Sequence, residues 1–155
     1  MNSDFNIAVH ALVYLSHKGC TLSSEALAEN ICTNPARVRK VLAKLSRAGL
    51  VATKEGGRGG CAIAREAGKI TLRQVSEAVE ACFVSTSWKS GDPHMECLVA
   101  SGMARLMDGI YAQLDSQCKQ HLETMTIRDL EEQIFRTKQP THREQTAMKA
   151  AERTI

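Results

Sequence analysis

Phe5, Ala8, Val9, Leu12 and Leu15 recur at helical spacing and put one apolar face on a helix from about Ser3 to His17. Lys18-Gly19 ends it. After a short extended Thr21-Leu22, Ser23 reads as the N-cap of a second helix that runs to about Asn30. Its Glu25 meets the positive end of the helix dipole, and Leu27, Ala28 and Ile31 are its inner side. A third helix begins sharply, because Asn34 is a good N-cap and Pro35 fits a first-turn position whose N–H needs no partner. Val38, Val41, Leu42 and Leu45 form its buried stripe, and Gly49 closes it. Leu50–Thr53 and Cys61–Ala64 then read as two strands, and the glycines of Gly56-Gly57-Arg58-Gly59-Gly60 force the turn between them. Thr71 caps a fourth helix carrying Leu72, Val75, Ala78 and Val79.

Helix, short helix, turn, basic helix and glycine-rich hairpin is the order of a winged helix-turn-helix. Residues 83–96 show no period and contain Gly91, Asp92 and Pro93, so they read as a loop. From Cys97 to about Thr124, Leu98, Gly102, Leu106, Ile110, Leu114, Cys118 and Leu122 recur every four residues, with Val99, Met103, Met107 and Tyr111 beside them. A helix of roughly 28 residues is about 40 Å long, more than one small domain covers. Its apolar length points to the same helix of a second copy, the alternative being a helix folded back on its own domain. Thr126 caps a last helix with Ile127, Leu130 and Ile134. The fold class expected is therefore mainly α with a small β-wing: residues 1–82 a DNA-binding domain, 83–135 a linker and dimerisation region, and 136–155 a polar, disordered tail.

Charge sharpens the picture. The net charge is +3, but residues 1–70 hold ten Lys/Arg against five Asp/Glu, whereas residues 71–155 are net acidic by two. The basic half is where a polyanion binds. Between Asn34 and Leu50 stand five cations and no acid. With the apolar stripe turned inward, Ala36, Arg37, Arg39, Lys40, Lys44 and Arg47 fall on the outer surface. The first turns of a helix in the major groove lie nearest the base edges, so Asn34, Arg37, Arg39 and Lys40 are candidates for reading bases. Lys44 and Arg47 are candidates for phosphate, and Arg58 at the wing tip for a minor groove.

Other chemistry is sparse. His10, His17, His94, His121 and His142 are dispersed, and no nucleophile-plus-base motif occurs. The GGRGG turn lacks the Lys and Ser/Thr of a phosphate loop, so an enzyme is not expected. No run of about 18 apolar residues is present to cross a membrane, and no secretion signal is expected from the first residues. Six scattered cysteines without a CxxC pair suit reduced thiols in the cytoplasm.

The stretches RVRKVLAKLSRAGLV (37–51), GGRGGCAIAR (56–65) and ITLRQVSEAVE (70–80) resemble the Rrf2 family of bacterial transcription regulators, and the similarity spans most of residues 1–135. The resemblance implies a homodimer with crossing long helices on a near-palindromic operator, with Asn34, Ala36 and Lys40 where relatives contact bases. Two wing positions depart: Glu55 stands where relatives often carry Arg, and Cys61 where an aromatic is common. Several relatives hold an iron–sulfur cluster on three cysteines spaced about six apart, just before the long helix. Cys97 matches the third, but the first two fall at Ser85 and Gly91, and a histidine ligand of some relatives falls at Ala100. The chain thus resembles the cluster-free branch, with no cofactor expected.

The leading expectation is a sequence-specific repressor acting as a homodimer on double-stranded DNA. One alternative is a redox or iron–sulfur sensor, using Cys97 with Cys82 and His94, or a thiol switch at Cys32, which sits just before the basic helix. Another is a protein-interaction module that does not bind DNA.

Overall fold

The computed structural model describes residues 3–54, 56 and 59–137; the wing tip with Glu55 and Arg58, and the tail read as disordered, lie outside the described residues apart from Arg136 and Thr137. Six helices are described: α1 (Ser3–Lys18), α2 (Ser24–Ile31), α3 (Pro35–Arg47), α4 (Leu72–Ala78), α5 (Leu98–Leu122) and α6 (Ile127–Arg136). Strands β1 (Val51–Lys54) and β2 (Gly60–Ile63) pair antiparallel between α3 and α4, with Val51 opposite Ile63 and Lys54 opposite Gly60. This is the mainly helical, winged architecture expected.

The boundaries sit where side chains satisfy free backbone groups. Ser23 accepts from Ala26 N, and Asn34 accepts from Ala36 N at 2.8 Å. Thr71 and Thr126 each build a reciprocal capping box, with Gln74 and Asp129. Gly49, with φ +69°, lets the chain leave α3 and enter β1. A short 3-10 turn at Ala67–Lys69 carries no apolar period and was not expected from the sequence.

The core is laid down by α1, α2, α3 and α4. Leu12, Leu15, Leu27, Val38, Val41, Leu45, Leu50, Ile70 and Val75 are all essentially sealed from solvent. Leu22 extends the hairpin by pairing with Cys61 through two backbone hydrogen bonds of 2.8 and 2.9 Å. A Cβ at Gly60 would stand 2.5 Å from the Leu22 carbonyl oxygen, so this close approach requires glycine.

The C-terminal helix returns to the N-terminal domain. Ile127 is fully buried in the same core, and α6 packs along α1. The starts of α4 and α6 are joined, Leu72 N donating to Met125 O at 2.8 Å and Ile127 N to Ile70 O at 3.0 Å. A boundary after residue 82 therefore leaves α6 on the far side of a line that its packing crosses. In contrast, α5 buries no residue: Leu98, Val99, Leu106, Ile110 and Leu114 are all exposed. Its 25 residues span about 37 Å. Among the described residues, no helix is long and apolar enough to cross a membrane.

Candidate nucleic-acid interface

Helix α3 is held from one side only. Val38, Val41, Leu42 and Leu45 are buried, and residues three and four apart on the opposite side face solvent. Ala36, Lys40, Ala43 and Arg47 form that outer stripe. Among the described residues Lys40 has no ion-pair partner, and Arg47 only turns its Nε back to Ala43 O at 3.3 Å. Lys40 and Arg47 thus carry the uncommitted charge of this helix.

The other candidates are tethered. Arg37 donates to Ser3 Oγ and lies 3.6 Å from Asp4 on α1. Arg39 bonds Glu25 at 2.8 Å at the start of α2. The Glu25 carboxyl is held below its ordinary value, first by its own backbone amide, then by Ser24, with Arg39 adding to both. The Arg39–Glu25 pair is exposed on both sides and therefore weak, whereas Asp4 is half-buried and shared with Lys44. Lys44 differs from the expectation of an outward cation. It leans inward, only 20% exposed, within 3.7 Å of Asp4, 3.8 Å of Glu80 and 3.4 Å of Val79 O. Asp4 and Glu80 are remote in sequence from Lys44, so helical periodicity alone cannot show them.

Asn34 is exposed, but its Oδ1 is committed to capping α3, which leaves the Nδ2 amide as the outward donor. Beside α3, a cleft of about 330 Å³ runs to the hairpin, lined by Ser24, Arg39, Ala43, Thr53 and Cys61 among others. Cys61 is buried on the inner side of β2. Burial pushes its thiol up, against a smaller opposing effect of Thr53. Arg58 lies outside the described residues.

The turn between α2 and α3 is carried by Cys32, in the left-handed region at φ 57°, with Thr33 N closing back to Ala28 O at 3.0 Å. Its Sγ donates to Glu29 O at 3.6 Å, toward the end of α2 rather than the start of α3. Cys97 caps α5 and is exposed. It makes no cap hydrogen bond of normal length, yet the free amides of Ala100 and Val99 hold its thiol below its ordinary value.

The family model for Rrf2, described as an iron-dependent transcriptional regulator, matches residues 1–133. YwnA of Bacillus subtilis (strain 168), named an HTH-type transcriptional regulator, is 25% identical over 138 residues, which is 87% of this chain and 99% of YwnA. CymR (YrzC), the global cysteine regulator of B. subtilis, superposes with a TM-score of 0.61 at 16% identity over 85% of this chain and 95% of its own. T. potens IscR does so with a TM-score of 0.67 at 16% identity over 93% and 94%. At such identities the structural likeness is one of fold.

Among the described residues, the iron in the family's description finds no matching donor set. Ser85, Gly91 and Ala100, the positions at which the resemblance implies ligands in some relatives, supply no thiolate or imidazole, and Cys82 turns its Sγ to Val84 O at 3.6 Å. Among the described residues no three His, Cys, Asp or Glu side chains gather to hold a metal ion. An iron–sulfur cluster needs several converging thiolates, so these residues do not fit one. With the match covering nearly all of the described chain, this protein belongs to the Rrf2 family of transcriptional regulators and is not an enzyme.

Proposed function

We propose that the chain is a homodimeric repressor that binds a near-palindromic operator in the cytoplasm through α3, without a bound cofactor. The observation that carries this reading is the free outer stripe of α3. Lys40 and Arg47 face solvent without carboxylate partners among the described residues, on a helix whose other side is locked by four buried residues. A helix so held enters the major groove as a rigid body, with Asn34, Ala36, Arg37, Arg39 and Lys40 toward the bases and Arg47 toward phosphate. Arg58 is assigned to the wing on the sequence alone. Lys44 acts by fixing α3 between α1 and α4. The apolar side of α5 takes the same helix of a second copy, which sets two recognition helices on one duplex and makes the half-sites inverted repeats.

The test begins with selection of duplexes from a random pool by the full chain, followed by affinity and salt titration on the selected duplex. Binding that weakens steeply with salt, an inverted repeat in the selected DNA, and a dimer by sedimentation are expected. Failure to select any duplex at low salt refutes the reading and favours a protein-interaction module.

Thiol sensing is a second reading, favoured by the exposed, acid-shifted Cys97 at the start of α5. Affinity is compared before and after mild oxidant in the wild type, Cys97→Ser and Cys32→Ser. Unchanged binding throughout ends that reading.

A further inference from the structure

The segment between α4 and α5 has no helix or strand, yet it is fastened along α5 at three levels. Near the C-terminal end, the Asp115 carboxylate accepts from Phe83 N at 2.6 Å and from Val84 N at 3.2 Å. Two turns earlier, Asp108 pairs with Lys89. Two turns earlier again, Gly91 lies directly against the Ala100 carbonyl, so close that a Cβ there would overlap the oxygen. Gly91 has φ +76°, a second reason for glycine at that place.

Residues 100, 108 and 115 fall on one side of the helix, while Val99, Leu106 and Ile110 fall on the other, with Leu114 at the edge between them. The fastening therefore leaves the apolar side clear. It also bears on the winged domain, because Phe83 packs edge-on against Phe5 of α1, with ring centroids 5.1 Å apart at 88°. Asp115 is itself held: Lys119 lies 2.9 Å away, and the carboxylate is only 14% exposed. Burial works against its charge, but the hydrogen bonds from Lys119, Phe83 and Val84 outweigh that effect and keep it ionised below its ordinary range.

We propose that Asp115, with the Lys89–Asp108 pair and the Gly91–Ala100 contact, straps residues 83–97 along α5 and so positions the winged domain on the long helix without a metal group. Asp115 is a positioning residue. It touches no DNA, and it acts through the orientation of α3 relative to the long helix. This proposal rests on the dimeric reading above only for its effect on DNA. The strap itself is a property of one copy.

The experiment uses the full chain as wild type, Asp115→Asn and Asp115→Ala. Amide hydrogen exchange without DNA is read first. Phe83 and Val84 exchange about tenfold faster in Asp115→Ala while the amides of α3 are unchanged, and Asp115→Asn, which keeps an accepting oxygen, lies between. Equal protection in all three overturns the strap. Affinity is then read on the duplex selected by the wild type and on the same duplex cut to one half-site. Asp115→Ala loses about tenfold more on the whole site than on the half-site, because only the whole site requires two correctly spaced helices. Equal loss on both duplexes means that Asp115 only supports the fold, and the positioning role fails. If the wild type selects no duplex, the operator reading fails while exchange still decides the strap. Finally, the wild type is treated anaerobically with ferrous iron and sulfide. No stoichiometric iron and unchanged exchange at Phe83 and Val84 are expected. Iron retained together with slower exchange there overturns the metal-free strap.

Discussion

Ile127→Ala tests whether α6 belongs to the winged core. Ile127 is fully buried, below the joined starts of α4 and α6. The substitution removes three carbons, which at about 0.8 kcal/mol each amounts to about 2.4 kcal/mol of lost transfer energy. The cavity left beneath α6 adds to this, because α1 and α4 are fixed by their other contacts. A total of about 3–4 kcal/mol is expected, within the range seen for buried Ile→Ala changes. Urea unfolding at one fixed protein concentration measures it. With an m-value of about 2 kcal/mol/M, the midpoint falls by about 1.5–2 M. Ile127→Val should cost only about 1 kcal/mol. Ile134→Ala, at a side chain that is 49% exposed on the same helix, should cost less than Ile127→Ala by at least about 2 kcal/mol. If Ile127→Ala and Ile134→Ala cost the same, α6 does not dock as described and the reasoning is refuted.

Three further outcomes are expected. Lys40→Ala should leave the urea midpoint unchanged, since Lys40 has no ion-pair partner among the described residues, yet weaken binding to the selected duplex by about 1–3 kcal/mol if it reads a base; unchanged affinity across salt removes it from the interface. Cys32→Gly relieves a left-handed non-glycine residue and should hold or raise the melting temperature, whereas Cys32→Val, β-branched at the same φ, should lower it; a lower melting temperature for the glycine variant contradicts the turn geometry. The third concerns pH. The carboxyl of Asp115 is depressed in the folded chain, so its contribution is complete above the unfolded value of about 3.9 and is lost as acid protonates the folded form. Between pH 5 and about pH 2 the wild type should therefore lose more stability than Asp115→Asn, and parallel denaturation curves would show that the carboxylate contributes nothing.

Most element boundaries were legible because each has a local chemical cause. Asn34-Pro35, Thr71 and Thr126 start helices with their own side chains, and Gly49 ends one with its own backbone freedom. The apolar stripe of α3 was legible for the same reason, since its spacing alone turns Val38, Val41, Leu42 and Leu45 inward. What could not be read is whatever depends on remote partners. The inward lean of Lys44 needs Asp4 and Glu80, and the tethers of Arg37 and Arg39 need α1 and the start of α2. The apolar residues of α6 predict a buried side, but no spacing says that the surface burying it is α1. The strap was invisible because residues 83–97 have no period, and their partners lie on a helix whose pattern advertises only its apolar side.

The start of α3 separates folding from display. Asn34 holds the helix with one oxygen, and Ser, Thr or Asp could hold it as well. Each of these would show the outside a different group: a hydroxyl, a hydroxyl beside a methyl, or a bare negative charge. A single codon change there can alter the outward chemistry while the domain stays intact. On the proposed reading of α3 as the DNA-contacting helix, descendants of this chain thus have a low-risk route to new targets, open at the residue where the helix begins.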